Sequence, residues 1–152
     1  MTYVAADARQ QLLDIVAEAI DEIGLALAAL GAAYEVVDDH TADRLEEELF
    51  GPVQLAYGRA KRTHAGFAGR HALPGRTFES PSAGAPSQGA KGFIQSAVDA
   101  AGAADRTLSS LQDSMMPVDV GDAELRAGLA EVRTLVGAVP GRARELVRIL
   151  GR

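Results

Sequence analysis

Apolar side chains recur along this chain in alternating steps of four and three. In the first segment they fall at Leu12, Val16, Ala19, Ile23, Ala26, Leu30, Ala33 and Val37, a heptad seam that belongs to a long helix. Asp14, Glu18, Asp21 and Glu22 lie off the seam, so the spacing predicts a helix over about 5–38 with an acidic outer side. "DDHT" then breaks the pattern, and Asp39 or Thr41 can cap a second helix. Leu45, Leu49, Val53, Ala56, Ala60 and Phe67 mark the inner face of that helix, over 41–70. Pro52 sits inside it, which predicts a kink or a restart, because proline lacks the N–H and crowds the preceding turn.

Residues 72–87 are rich in Pro, Gly and Ser and read as a loop, longer than a bundle connection normally requires. A third seam, Ile94, Ala97, Ala101, Ala104, Leu108, Leu111 and Met115, predicts a helix over 88–115. The fourth, Leu125, Leu129, Val132, Val136, Val139, Ala143, Leu146 and Leu150, predicts one over 122–150 that Pro140 kinks or divides. "MPVDVGD" is the connector before it, with Asp122 as cap. Four long amphipathic segments predict an all-α fold: one domain, 1–152, folded as an antiparallel four-helix bundle kinked at Pro52 and Pro140.

Composition supports helices over sheets. Ala, Leu and Val dominate, aromatics are 5% and tryptophan is absent, where a sandwich of this size favours β-branched and aromatic residues. Arginine outnumbers lysine 13 to 2 and asparagine is missing, which we read as nucleotide-composition bias. With no cysteine there is no disulfide or thiolate chemistry. The N-terminal stretch shows no basic-then-apolar leader and no apolar run reaches the roughly 20 residues of a membrane span, so the expected setting is the cytoplasm, away from membranes.

Charge changes the picture more. Residues 1–50 carry twelve acids against two bases, whereas residues 51–152 carry nine acids against thirteen bases. The net charge of −6 disfavours broad nucleic-acid binding. The one concentrated basic region is Arg59, Lys61, Arg62, His64, Arg70, His71 and Arg76, with Lys91 expected near it. As a site it would dock an anion or an acidic partner; as structure it would complement the acidic first helix.

Several motifs could carry chemistry. "SAGAPSQGAKGF" approaches a phosphate loop, but Ala90 displaces Lys91 by one position and Gly92 stands where Mg²⁺ binding wants a hydroxyl. A helix start capped by Ser87, with Lys91 close enough to hold an anion, is the remaining expectation. "RAKRTH" matches the Arg-x4-His spacing of HEPN ribonucleases, which implies phosphodiester chemistry on Arg59, Arg62 and His64; Gly66 stands where one subgroup has tyrosine. Tyr34 and Asp38 match the Tyr-x-x-x-Asp element of type VII secretion substrates, without the tryptophan turn of that family. Asp38, Asp39, His40, Asp43, Glu46 and Glu47 are metal-capable types but lack the Glu-x-x-His pairs of di-iron bundles, and read as capping, solvated acids.

No nucleophile, metal or cofactor site is therefore expected. The sequence points to a non-enzymatic helical interaction or regulatory protein, homo-oligomeric, most simply a dimer, that offers a protein partner a helix face or the 72–88 loop. Phe78, the lone aromatic within that loop, is the candidate anchor. A small ribonuclease using Arg59, Arg62 and His64 is the second reading. A ligand-binding bundle opened by its two prolines is the third.

Overall fold

A computed structural model of the chain describes residues 2–82 and 89–150. All regular structure among them is helical. Helix α1 spans Thr2–Glu35, α2 Asp39–Leu45, a π-helical turn Glu46–Phe50 and α3 Gly51–Arg70; α4 spans Gly89–Asp113, α5 Met116–Asp119, α6 Ala123–Gly137 and α7 Val139–Leu150. The chain folds as a helical bundle with one continuous apolar core.

The heptad seams form that core. Every seam residue from Leu12 to Ala33 is buried, as are Leu45, Leu49, Val53, Ala56, Ala60 and Phe67. The same holds for Ile94 through Leu111 and for Leu125 through Leu146 on their seams. Helix α1 buries a second row, Leu13, Ala17, Ile20 and Ala29, because it packs against both α4 and α3. Met115 departs from its seam. It is half exposed and takes φ 66°, the left-handed residue that ends α4. The connector after it contains the short helix α5, and Asp122 caps α6 by accepting from Leu125 N at 2.8 Å.

The two prolines act locally. Ahead of Pro52 the helix widens into the π turn, and Gly51 N reaches back five residues to Glu46 O. The wider turn accommodates a residue that cannot donate to the preceding turn. Pro140 stands in the first turn of α7, where a missing N–H costs little, and Ala138 separates α7 from α6. The second expected helix is thus continuous from Asp39 to Arg70 with a π turn in it, and the fourth is divided at Ala138.

Neighbouring elements run against one another. Thr107 of α4 donates to Glu22 of α1, Tyr57 of α3 lies beside Gly24, and Arg59 and Arg70 of α3 reach Glu131 and Glu124 of α6. Helices α3 and α6 approach closely at Gly128, where an added methyl would overlap the Thr63 side chain. Thr63 itself is turned back, its hydroxyl donating to Arg59 O at 2.8 Å. No helix of the described residues is long and apolar enough to cross a membrane.

Candidate functional site

The basic region expected at residues 59–76 is divided among three surroundings. Arg59 Nε donates to Glu131 Oε2 at 2.6 Å. Arg70 holds Asp122 with two hydrogen bonds, of 2.8 and 2.9 Å, and reaches Glu124 at 2.7 Å. His71 Nε2 lies 3.0 Å from Asp122 and its ring leans on Phe67 at 4.3 Å. Arg76 pairs with Asp21 of α1 at 3.0 Å. Four of the expected docking groups are therefore already engaged by carboxylates of this chain, and mainly those of α6 and its cap.

Asp122 is the centre of that arrangement. It caps α6, bridges to the end of α3, and its carboxyl is held well below the usual 3.8, first by Arg70 and then by the Leu125 N–H and His71. Arg59, Arg62 and Arg70 line one groove of about 380 Å³ with Thr63, Gly66 and Glu124. Within it only Arg62 has no acidic partner among the described residues.

Lys91 is not near this groove. Helix α4 begins beside the C-terminal end of α1, whereas α3 ends toward the N-terminal half of α1. Arg9 of α1 donates to Val120 O, beyond the end of α4, and Thr107 of α4 meets Glu22, so the start of α4 lies farther along α1 than the end of α3 does. Lys91 is exposed in the first turn of α4. The cap expected at Ser87 lies outside the described residues.

His64 and Arg59 do not converge. His64 is only 4% exposed and its ring faces Phe78, with centroids 5.3 Å apart, on the α1 side of α3. Arg59 points to α6 instead. Five residues turn a helix by roughly 140° beyond a full turn, so these two side chains occupy different flanks of α3. His64 and His71 also part company, since the second stands beyond the end of α3 and turns to Asp122.

Phe78 is packed against the bundle rather than presented as a free anchor. At the acidic corner, Asp38 accepts from Thr41 N at 2.7 Å and caps α2. Among the described residues no three His, Asp or Glu side chains are gathered as metal ligands. Grooves do lie beside both prolines, of about 480 Å³ at Pro52 and about 530 Å³ at Pro140. Both run along helix surfaces, and the buried core between the helices is filled by side chains.

Two surfaces escape a reading of the sequence. One is the outer side of α2 and the start of α3, where exposed Tyr34 shares a groove with Glu35 and Glu46 and exposed Leu55 shares the next with Glu47 and Arg62. Leu55, at 64%, is the most exposed large apolar side chain described. The other is the α4–α7 groove, floored by Ile94, Val98, Ala143 and Val147 and edged by Arg144 and Arg148. A heptad pattern assigns inner faces; it has no means of marking Leu55, off the seam of its helix, as a surface feature.

No family model, curated protein or solved structure matches this chain.

Proposed function

We propose that this protein is a non-enzymatic helical interaction protein, an antiparallel four-helix bundle whose second arm, α2 through the start of α3, presents its outer face to a basic, amphipathic partner helix. The observation that supports this is that Leu55 and Val36 are each more than half exposed, while Glu35, Asp39, Asp43, Glu46 and Glu47 of the same stretch are exposed and have no ion-pair partner among the described residues. Exposed apolar surface ringed by charge of one sign is the character of a docking face. The helix face is favoured over the loop because Phe78 is folded down. The HEPN-like reading is not favoured, because Arg59 and His64 lie on different flanks.

A second copy of the chain supplies a helix of the required chemistry. Helix α7 exposes Arg144 and Arg148 beside the apolar floor of its groove and Arg142 as well, with Glu145 the sole acid in the helix. Acidic face to basic groove joins two different surfaces, so the assembly is head-to-tail and strongly dependent on salt.

Sedimentation across a concentration series at low and high salt tests this reading. Self-association that weakens with salt, and is lost in Leu55→Asp and in Arg144→Glu/Arg148→Glu, supports it. A chain that stays monomeric throughout removes the second copy as partner. Retention of association in Leu55→Asp removes the face.

A further inference from the structure

Residues 72–82 lie across the groove between α1 and α3. Leu73 N donates to Ala68 O at 2.8 Å, which starts the segment back over the bundle. Arg76 then reaches Asp21 of α1. Phe78 meets His64 of α3 edge to face, at an interplanar angle of 87°. Arg76 also stacks on the Phe78 ring at 4.6 Å. Farther on, Pro81 lies over the glycine at 24: a Cβ there would be 3.5 Å from Pro81 Cδ and 3.4 Å from Tyr57 Cε1. The segment thus touches both helices, and Phe78 and His64 form its central contact.

We propose that residues 72–82 form a pH-released strap: neutral His64 holds Phe78 in the α1–α3 groove, and protonation of His64 expels Phe78 and Arg76 while the bundle stays folded. Three features of the geometry carry this. His64 is nearly enclosed, so an imidazolium there gives up most of its hydration. The nearest strap cation, Arg76, already occupies the Phe78 ring, so a second cation meets like charge. The attachments of the strap are otherwise few and partly exposed, and the Arg76–Asp21 pair, about half exposed on both sides, is weak.

The charged groups around His64 do not all act alike. Arg76 opposes its protonation and Asp14 of α1 favours it. Asp21 is engaged by Arg76, and Lys61 sits over the Tyr57 ring on α3 at 4.2 Å. Burial is the largest influence, and together with Arg76 it holds His64 below the ordinary 6.5. Cation–π attraction to Phe78 would favour the imidazolium, but Arg76 already takes up the face of that ring and His64 meets it edge on. The closed strap is therefore favoured above the ordinary imidazole value and loses stability as pH falls through the depressed one.

The test uses the full chain labelled with fluorophenylalanine, which places one fluorine probe at each of its 4 phenylalanines. As pH falls from about 8 to about 5, the Phe78 resonance should move to its solvent position while the other three stay. His64→Gln should leave Phe78 insensitive to pH, and Arg76→Gln should shift the midpoint upward. A Phe78 signal that does not move, or that moves only with the other three, overturns the proposal. So does a pH response that persists in His64→Gln. If that variant does not fold, the Arg76→Gln midpoint decides, and one that is unchanged or lower overturns the strap.

Discussion

The α3–α6 seam and the α4–α7 groove are both rich in arginine, and they use it in opposite ways. At the seam, Arg59 and Arg70 face Glu131, Asp122 and Glu124 at hydrogen-bonding distance. At the groove, Arg144 faces no carboxylate among the described residues, and Arg148 reaches only Glu145 of its own helix, at 3.4 Å. The seam is also tighter, with Gly128 against Thr63, while the groove leaves about 530 Å³ open. Local density of basic residues therefore says little about where positive charge is available. What decides it is the charge that the neighbouring helix brings.

The largest way to break this contrast is at Asp122. Asp122→Ala removes a helix cap and the partner of both Arg70 and His71, and is expected to lower stability by about 2–3 kcal/mol in urea unfolding. Asp122→Asn keeps a capping oxygen and should lose less. The charge has a pH signature as well. Because the folded-state carboxyl is depressed, its contribution is present above the ordinary 3.8 and is lost as pH falls below it. Asp122→Asn should accordingly flatten the acid limb of the stability profile.

Gly128→Ala comes next. The added methyl overlaps Thr63, and even after the gain in helix propensity a loss of about 1–2 kcal/mol is expected. Thr63→Ala removes the colliding group, so the double variant should recover most of that loss, a coupling that a mutant cycle reads directly. Recovery would confirm that close approach, and not the glycine's flexibility, is what the seam requires.

Arg59→Ala should cost only about 0.5 kcal/mol, since Glu131 is more than half exposed and its ion pair is screened by water. Arg144→Ala should change stability by less than that, within about 0.5 kcal/mol of zero. Its effect is expected in the salt dependence of self-association. If Arg144→Ala proves as destabilising as Asp122→Ala, the contrast between seam and groove is wrong.

Much of the helical layout was legible in advance because burial on a helix repeats with the backbone. The seam positions Leu12 to Ala33 and Ile94 to Leu111 require only that one side of each helix face a core. Proline marked where the α-helical pattern changes, near Pro52 and Pro140, but not the form of the change. A π turn before one and a helix start at the other depend on how each stretch of helix meets its neighbours. Met115 was misplaced because the step of four from Leu111 continues past the point where α4 ends.

The candidate sites were far less legible. Arg59 and His64 look adjacent in "RAKRTH", yet the helix turns one toward α6 and the other under Phe78. Sequence by itself determined most of the helical stretches and which face of each long helix is apolar, since these arise from local periodicity and backbone chemistry; it missed α5 and the ends of α1 and α4. Only the tertiary structure decided which arginines are satisfied, that Phe78 lies on His64, and that Leu55 stands exposed. Those outcomes depend largely on residues 50 or more positions apart, such as Arg70 and Asp122 or Asp21 and Arg76, and no local pattern encodes the charge or ring that a distant helix will place opposite.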